Sequence, residues 1–517
     1  MTYRTIIGLE VHVQLLTKTK LFCGCSTKFG LPPNSATCPI CVGMPGTMPV
    51  MNRSAFRLAV KAALALNCQI AAFTKWDRKN YFYPDLPKNY QISQYDLPFS
   101  HDGWLEIETS AGAKRVGILR AHLEEDAGKM IHGEGGAKRD SLVDLNRTGT
   151  PLLEIVSQPE MDTAEEAKAY LEDIRLLLRE IGVSDCEMQE GSLRCDANVN
   201  IHVPQPDGVF LATPIIEIKN LNSFRGVERA IAYEAQRQKA ELDEKLGKEW
   251  IVDQGPPKTF RGSSIVGVLA KTAAGRTVPV SKATAGWNDQ LGKTRVQRRK
   301  EEASDYRYFP EPDLVPIKVS AELLDEVRRE LGELPAAQKA RLQTQYGLST
   351  YDAEVLSQQG RAFVAYFEEA AKVSGDAKEA CNWIANDVLQ SLNERSIALD
   401  ESPITAARLG ELIAEVKATG LNKQRAREVY TEMLTNATDA KTAIAKLGYV
   451  VVADESQLRG IVIRAIDANA KAVADYKKGK VKAADAIKGA VMRETKGLAK
   501  MEQVQKILIE ELDKRDG

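Results

Sequence analysis

The sequence has 517 residues, a length that suggests about three domains. Its 70 basic and 71 acidic residues give a net charge of −1. This balance excludes the strongly basic composition of many nucleic-acid-binding proteins and leaves only local patches for such binding. Charged residues at 27% and aromatic residues at 6% are typical of a globular protein and exclude a fibrous or disordered chain.

Apolar segments are short throughout the chain. No run approaches the ~20 residues that a membrane-spanning helix needs, and the first four residues lack the pattern of a signal or transit peptide. We therefore predict a cytoplasmic protein without a membrane segment. In that compartment the eight cysteines are expected to be reduced or metal-bound rather than paired as disulfides.

The first predicted element is a β-strand over residues 6–14. Apolar and polar residues alternate there with the period of two that a half-buried strand requires. Glu10 and His12 therefore share one face, and this pair suits a hard divalent metal ion or a proton-transfer site. A solvated strand face or a satisfied hydrogen bond is the alternative interpretation.

Four cysteines follow directly, as Cys23 and Cys25, then Cys38 and Cys41. Two cysteine pairs across a loop rich in Pro, Gly and Asn can close a tetrahedral zinc site. Such a closed site would be structural, although a zinc ribbon would also suit a nucleic-acid-binding module. Free thiols are the alternative, because the Cys-x-Cys half of the pattern is less typical than the Cys-x-x-Cys half.

A helix is predicted to start near Asn52 or Ser54, and residues 79–94 follow it without a helical or strand period. This stretch is dense in Lys, Tyr, Asn and Pro. It predicts either a rigid surface loop or a loop that grips phosphates and stacks bases. Residues 120–129 then place three consecutive acids between an arginine and a lysine, which is usually a solvated turn.

A second amphipathic helix is predicted between a cap at Asp162 or Thr163 and an end at Gly182. Two strands with polar faces come next. One carries Arg194, Asp196, Asn198 and Asn200, and the other carries Glu217 and Lys219. Charged strand faces are costly unless the groups pair or hold a ligand.

Several polar strands in one region predict a sheet that faces a ligand, with carboxylates for Mg²⁺ and basic side chains for phosphates. This is one way to build an ATP site without a P-loop. A P-loop is absent, because the nearest candidate, at residues 286–294, has five residues between its glycines where the Walker motif requires four.

Residues 255–286 are rich in Pro, Gly, Thr, Ala and Ser and predict an exposed excursion. From about residue 319 the pattern is helical only, with a polar linker near residues 398–403. We therefore predict an α+β protein with boundaries near 318 and 402. The Lys-rich stretch 471–506 predicts a solvated helix face or an RNA-contacting surface.

Six motifs stand in the order found in one known family: EVH at residues 10–12, KNYFYPDLPK at 79–88, HLEED at 122–126, EGSLRCDAN at 190–198, EIKNLNSF at 217–224 and DYRYFPEPDL at 305–314. Over essentially its whole length, and more weakly towards the C-terminus, the chain resembles the B subunit of the aspartyl/glutamyl-tRNA(Asn/Gln) amidotransferase.

That resemblance implies an N-terminal β-sheet cradle (1–318), similar to the glutamine synthetase fold, with an ATP- and Mg²⁺-dependent kinase site. The site phosphorylates the side-chain carboxylate of Glu or Asp attached to tRNA. Ammonia released by the amidase, which is the A subunit, travels through an internal channel and displaces the phosphate, giving Gln-tRNA(Gln) or Asn-tRNA(Asn). A helical domain (319–402) and a tail domain that contacts tRNA (403–517) follow, and a small C subunit wraps the other two.

The resemblance also implies roles for particular residues. Glu10, His12 and Glu125 are expected to bind Mg²⁺, with Glu124 close by as a fourth catalytic residue. Contacts to the nucleotide or acyl phosphate are expected from Lys79, Tyr81, Lys88, Arg194, Asp196 and Glu217. Cys23, Cys25, Cys38 and Cys41 match the zinc site that some members have.

The chain departs from the family pattern in three places. The excursion at 255–286 is longer than usual, TAGW at 284–287 stands where TRGW is usual, and TKGLAKM at 495–501 replaces the usual GKANP. The competing hypothesis is a non-catalytic zinc-containing scaffold that binds tRNA, in which the acidic strands pair only with the chain's own basic residues.

Overall fold

The structure, a computed structural model, describes residues 3–132, 141–204, 210–245, 251–252, 269–271, 277–279, 282–300, 306–449, 455–477, 483–495 and 501–514. The chain forms two compact units, Met1–Leu334 and Pro335–Gly517, which are taken one at a time below. The described residues of the first unit form sheets and helices, and those of the second form helices. The predicted α+β class is therefore confirmed.

The strands and helices of the first unit lie in two runs of the chain. The first run contains β1 (Arg4–Gln14), α1 (Arg53–Ala65), β2 (Gln69–Ile70), β3 (Phe73–Thr74), β4 (Asp77–Asn80), β5 (Tyr90–Ser93), β6 (Ser100–Thr109), β7 (Gly112–Glu125), β8 (Lys129–His132), β9 (Ser141–Asp144), β10 (Pro151–Ser157) and α2 (Ala164–Glu180). The second contains β11 (Leu193–Pro204), β12 (Phe210–Ala212), β13 (Ile216–Leu221), α3 (Phe224–Lys245), β14 (Ile251–Val252), β15 (Leu269–Lys271), β16 (Thr277–Pro279), β17 (Lys282–Asn288), β18 (Lys293–Lys300), β19 (Phe309–Pro310), β20 (Ile317–Lys318) and α4 (Ala321–Leu331).

A ten-stranded sheet organises the first unit. Its strand order is β18-β17-β13-β11-β1-β10-β7-β6-β2, with β12 paired to β11. Neighbouring strands are antiparallel except β13 and β17, which are parallel. Strand β1 lies in the middle of this order, as the alternating pattern of residues 6–14 predicts for a strand with one face in a core.

The apolar face of β1 is fully buried. Ile7, Leu9, Val11 and Val13 are at most 1% exposed, in one apolar cluster with residues of α1, α2 and α3. Side chains of a strand leave alternate faces, so the polar residues of β1 lie on the opposite face of the sheet. The helices thus cover one face, and the other face is available for a site.

Two predicted helix starts are confirmed. The Asn52 side chain accepts hydrogen bonds from the backbone N–H groups of Ser54 and Ala55 at 2.9 and 3.2 Å, which caps α1. The Thr163 hydroxyl accepts one from the N–H of Glu166 at 3.1 Å, which caps α2. Each cap satisfies a donor that the first helical turn leaves unpaired.

Part of the segment predicted as an irregular loop is instead a small sheet. Strands β19, β4 and β5 pair in that order, so residues 77–80 and 90–93 are extended. The predicted excursion also ends earlier than expected, because residues 282–286 belong to β17 of the main sheet. The rest of the excursion, apart from residues 269–271 and 277–279, lies outside the described residues.

The second unit is helical over its described residues. Its elements are α5 (Pro335–Tyr346), α6 (Thr350–Gln358), α7 (Arg361–Ser374), α8 (Ala377–Trp383), a π-helical turn (Ile384–Val388), α9 (Leu389–Arg395), a 3₁₀ turn (Leu399–Glu401), α10 (Ala406–Thr419), α11 (Lys423–Asn436), α12 (Ala440–Lys446), α13 (Glu455–Ala468), α14 (Ala470–Lys477), α15 (Ala484–Glu494) and α16 (Met501–Asp513).

Two apolar clusters lie within the second unit, one over residues 342–444 and one over residues 458–512. The first includes residues on both sides of the predicted boundary at 402. Helix α4, beyond the other predicted boundary at 318, packs with the first unit through Val327. The three-part division stays a prediction. Among the described residues, no helix combines the length and apolarity needed to cross a membrane.

Replacing Gly410 with alanine is expected to destabilise the second unit by about 1–3 kcal/mol, since overpacking forces neighbours to shift. A Cβ at Gly410 of α10 would lie 2.6 Å from the Cβ of Val373 on α7. Differential scanning calorimetry of the full chain measures the effect. The matched control is Gly489→Ala on α15, where a Cβ meets nothing within 4 Å, and where alanine should be neutral or stabilising. Equal melting temperatures for the two variants would contradict this packing.

Candidate active site

Strand register brings four polar side chains into one row across the sheet. His12 of β1 lies opposite Arg194 of β11 on one side and opposite Glu154 of β10 on the other. Glu154 in turn lies opposite His122 of β7. Directly opposite residues on one sheet face have their side chains in contact distance. The row therefore assembles two imidazoles, a carboxylate and a guanidinium on the face away from the helices.

A second carboxylate joins this row from Glu124, two residues after His122. The Nε2 atom of His12 lies 3.6 Å from Glu154 Oε2 and 3.7 Å from Glu124 Oε1. His122 Nε2 lies 3.3 Å from Glu154 Oε2. Glu124 and Glu154 are only 3% and 8% exposed. One ligand atom each from His12, Glu124 and Glu154 lies within 4.8 Å of the others, so the three could hold a metal ion.

The electrostatics of this cluster favour a cation. Burial alone would lower the pKa of His12, but the nearby carboxylates of Glu154 and Glu124 raise it to about 9. Burial would raise the pKa of Glu154, yet His122 and His12 lower it well below its usual value. Two buried carboxylates thus stabilise positive charge at this point. Oxygen and imidazole donors with open positions suit a hard divalent ion.

Lys79 faces the same carboxylates from the small sheet. Burial opposes its charged form, but the charges of Glu124 and Glu154 outweigh burial and raise the pKa of Lys79. Its ammonium lies 5.3 Å from the ring centroid of Tyr306, and the ring of Tyr81 packs edge-on against Tyr306 at 6.1 Å. The predicted residues Lys79 and Tyr81 therefore both contact the ring of Tyr306, and the charge of Glu124 acts on the pKa of each.

Further along the same face, three more acids are grouped with two lysines. Lys219 pairs with Asp196 and lies 3.0 Å from Glu217 Oε1. Lys282 Nζ lies 3.6 Å from Glu217 Oε2 and 4.0 Å from Glu10 Oε1. The predicted residues Glu10, Asp196 and Glu217 are thus brought together, but as a charge-paired group beside the cluster rather than within it.

Arg194 lies at the edge of the cluster, and its charge has a partner. Its guanidinium Nη2 lies 2.8 Å from Oδ1 of Asp126, whose other oxygen lies 3.1 Å from Nε of Arg147. Asp126 is the third of the consecutive acids and is 3% exposed. Residues 122–126, within the stretch for which a solvated turn was the usual explanation, are therefore mostly buried strand.

The structure does not bring Glu125 to His12. Glu124 and Glu125 are successive residues of β7, and successive side chains of a strand point to opposite faces. The Glu125 carboxylate accepts hydrogen bonds from Lys88 and, at 2.9 Å, from the backbone N–H of Ile92. The predicted Mg²⁺ ligand Glu125 and the predicted phosphate contact Lys88 are paired with each other instead.

The four cysteines converge as predicted. The sulfur atoms of Cys23, Cys25, Cys38 and Cys41 all lie within 4.8 Å of one another and could hold a metal ion. A hydrogen bond from Cys23 and the charge of nearby Lys20, whose Nζ lies 3.5 Å from Cys41 Sγ, lower the pKa of Cys41 to about 4. A cavity of about 210 Å³ adjoins this cluster and is also lined by Lys88 and Glu125.

Comparison with known proteins decides the family. The family model described as the GatB/GatE catalytic domain matches residues 5–325, and the one described as the GatB domain matches residues 365–512. The chain is 49% identical over 508 residues to the B subunit of the aspartyl/glutamyl-tRNA(Asn/Gln) amidotransferase of Rhodopirellula baltica, covering 98% of this chain and 96% of the relative. The chain belongs to the family of amidotransferase B subunits.

Other members of the family are similar over their whole length. Identity is 46% over 515 residues with the protein of the same name from Caldanaerobacter subterraneus subsp. tengcongensis, covering 99% of this chain and 100% of the relative. It is 44% over 512 residues with that from Moorella thermoacetica, with the same coverage. The family resemblance read from the motifs is thus confirmed. The name of these relatives makes each one a component of a multi-subunit amidotransferase.

His122 and Lys219 stand in motifs quoted above without a predicted role, and two further residues of the candidate site, Glu154 and Lys282, were not singled out from the sequence. Glu154 lies in the apolar run of residues 151–156, and an acid inside a buried strand is a signal that it has a partner there. Lys282 falls in the segment assigned to the excursion, and no local pattern marks it. Both lie within the part of the chain that matches the GatB/GatE catalytic domain.

Proposed function

We propose that this chain activates the side-chain carboxylate of Glu-tRNA(Gln), Asp-tRNA(Asn) or both by ATP-dependent phosphorylation. Ammonia from a partner glutaminase subunit then gives Gln-tRNA(Gln) or Asn-tRNA(Asn). The observation that carries the proposal is the pair of buried carboxylates, Glu124 and Glu154, beside His12 on one face of the main sheet, with their charges raising the pKa of Lys79 on the small sheet. The relatives' name as aminoacyl-tRNA amidotransferase subunits supports it.

The chemistry requires activation because ammonia does not displace an oxygen from a carboxylate. A carboxylate oxygen of the substrate attacks the γ-phosphorus of ATP, the bond to the β-phosphate oxygen breaks, and ADP leaves. Ammonia then attacks the carbonyl carbon of the acyl phosphate, inorganic phosphate leaves, and the ammonia nitrogen loses a proton to form the amide. The enzyme is accordingly a ligase that forms a carbon–nitrogen bond.

His12, Glu124 and Glu154 would hold the divalent ion. We propose Mg²⁺ because two of these three ligands are carboxylates, which Mg²⁺ prefers. When bound, this ion neutralises phosphate charge and aligns the transferred group. Lys79 supplies a fixed positive charge next to the cluster, where the developing negative charge of the transferred phosphoryl group would lie. No described side chain at the cluster needs to act as a nucleophile, since the substrate carboxylate does so.

The charge-paired group beside the cluster suits the nucleotide. Lys219 and Lys282 are held by Asp196, Glu217 and Glu10, and phosphates can compete for such ammonium groups. Tyr81 and Arg194 complete the proposed contacts of the nucleotide or acyl phosphate. Lys88 and Glu125 are left out of this assignment because Glu125 leaves the opposite face of β7 from Glu124 and Lys88 pairs with it there.

The four cysteine sulfurs suit a structural zinc ion, since four thiolates close a tetrahedral site and leave no position for a substrate. We further propose that the chain works in the cytoplasm in a heterotrimer with the amidase and the small third subunit, on misacylated tRNA(Gln) or tRNA(Asn).

The proposal is tested by ATP hydrolysis in the heterotrimer reconstituted with the amidase and the small third subunit, with and without Glu-tRNA(Gln) or Asp-tRNA(Asn). The expected result is ATP turnover that requires the misacylated tRNA and matches the amidated product in amount. Turnover that does not respond to the charged tRNA would favour the scaffold hypothesis.

A further inference from the structure

A segment after the main sheet returns along strand β4. The backbone N–H of Asn80 donates to the carbonyl of Tyr306 at 3.0 Å, and its side-chain amide donates to the carbonyl of Arg307 at 2.7 Å. Phe309 pairs with Arg78 in the ladder of β19 and β4. Residues 306–311, called the return segment below, are therefore held along the full length of β4.

A buried ion pair fastens the end of this return segment. Arg78 donates from Nε and Nη2 to the two carboxylate oxygens of Glu311, at 2.7 and 2.8 Å, and Nη2 also lies 3.2 Å from Asp313 Oδ2. The Glu311 side chain is 0% exposed, and the Arg78 guanidinium lies 4.2 Å from the centroid of the Tyr90 ring. Such a two-point contact fixes the orientation of both side chains as well as their distance.

The residue after Arg78 is Lys79, whose side chain leaves the opposite face of β4. There its ammonium lies 5.3 Å from the centroid of the Tyr306 ring, and the charges of Glu124 and Glu154 raise its pKa. Tyr306 packs edge-on against Tyr308 at 6.0 Å. The return segment therefore carries the Tyr306 ring that contacts the Lys79 ammonium, and the Tyr308 ring packed against it. Arg78, on the opposite face of β4, holds the end of that segment.

Energetics argue against stability as the main role of the ion pair. Burying an arginine and a glutamate gains little net stability relative to apolar side chains of similar volume, because both ions lose their hydration. The pair instead fixes the positions of the two segments it joins. Such fixed positions matter where a charged side chain must lie close to a reacting group. A displacement of about 1 Å can lower a rate roughly 100-fold.

We propose that the Arg78–Glu311 pair is a positioning element for Lys79: it holds the return segment on β4 and so keeps the Tyr306 ring in place against the Lys79 ammonium. This inference rests on the proposed phosphorylation and adds two residues to it that touch neither ATP nor substrate. Arg78 and Glu311 act through Lys79, so their substitution should alter the rate of the chemical step more than substrate binding.

Glu311→Gln is expected to lower kcat for tRNA-dependent ATP turnover by about 10- to 100-fold, with the KM for ATP changed by less than about twofold. Glutamine keeps the volume but leaves the Arg78 charge without a carboxylate at Glu311. Arg78→Lys keeps the positive charge but loses the two-point contact of the guanidinium with Glu311, so it should lower kcat as well. The measurement uses the complete heterotrimer, and melting temperature is recorded for each variant.

Glu234→Gln on α3 is the matched control. The Glu234 side chain is also 0% exposed and accepts two-point contacts from Arg237, at 2.6 and 3.0 Å. It should cost similar stability and leave kcat unchanged. A double-mutant cycle gives the second readout: after Lys79→Ala, Glu311→Gln should lower kcat little further, because no Lys79 charge is then left to position.

Each outcome decides a different claim. If the wild-type complex lacks tRNA-dependent ATP turnover, the proposed function fails and the positioning role fails with it. If the wild type is active but Glu311→Gln lowers kcat no more than Glu234→Gln does, or its effect adds fully to that of Lys79→Ala, the ion pair is only structural. If Glu311→Gln does not fold, Arg78→Lys decides by the same two comparisons.

Discussion

Replacing Glu154 with glutamine is expected to lower tRNA-dependent ATP turnover by at least ~100-fold, because a metal ion that stabilises charge on a phosphoryl group contributes several kcal/mol. Glutamine has nearly the same volume, so the row across β11, β1, β10 and β7 should keep its packing. What is lost is one of the two buried negative charges that hold a cation beside His12. Direct binding of Mn²⁺, used as a spectroscopic substitute for Mg²⁺, should weaken in parallel.

The control for this experiment is Glu106→Gln. Glu106 is an exposed glutamate on β6 of the same sheet, so its loss removes the same charge from the chain without touching the cluster. It should leave both turnover and Mn²⁺ binding unchanged. Wild-type turnover in Glu154→Gln would show that the cluster of His12, Glu124 and Glu154 does not hold the catalytic ion.

Replacing Cys41 with serine is expected to remove zinc from the protein and to destabilise the first unit by more than roughly 3 kcal/mol, since metal binding by a closed site is also folding free energy. Cys41 is the buried member of the four, and its sulfur accepts a hydrogen bond from the Lys20 ammonium. Elemental analysis of the purified complex should find about one zinc per chain in the wild type. Calorimetry measures the change in stability.

Cys381→Ser is the matched variant, because Cys381 is a buried cysteine of α8 in the second unit. It should retain the zinc content of the wild type. If the wild-type protein contains no zinc, and if Cys41→Ser leaves the free energy of unfolding unchanged, the four sulfurs are free thiols.

The central strand and the polar face of the sheet could be predicted from sequence because their signals are local. Alternation in residues 6–14 shows which residues share a face, and β1 follows it. The same reasoning places Arg194, Asp196 and Asn198 on one face of β11. Spacing of the four cysteines likewise predicts their convergence, because a short loop limits how far apart the two pairs can lie.

Which of the two acids Glu124 and Glu125 faces the cluster could not be predicted, because a shift of one residue in strand register exchanges the two faces. The register of β7 is fixed by β10, at the level where His122 lies opposite Glu154. That pairing joins residues 32 positions apart and leaves no local pattern. Local alternation alone therefore cannot choose between the two ligand sets.

The small sheet was missed for a similar reason. Asn80 bonds to Tyr306 and Arg307 across a separation of more than 200 residues, and the strands involved are short and rich in charged or aromatic residues. Their extended conformation comes from pairing with one another rather than from a hydrophobic period. Composition marked residues 79–94 as unusual, and residues 305–314 form one of the family motifs, but neither observation shows that the two segments pair in one sheet.

Transfer of a labelled oxygen tests the central claim most directly. Glu-tRNA(Gln) carrying ¹⁸O in both side-chain carboxylate oxygens is converted by the heterotrimer with ATP and glutamine, and the inorganic phosphate is analysed by mass spectrometry. If the carboxylate is phosphorylated, one ¹⁸O atom leaves with each phosphate as ammonia displaces it. Phosphate without ¹⁸O would show that ATP does not phosphorylate the carboxylate, and the account of the Glu124–Glu154 cluster as a carboxylate kinase site would be wrong.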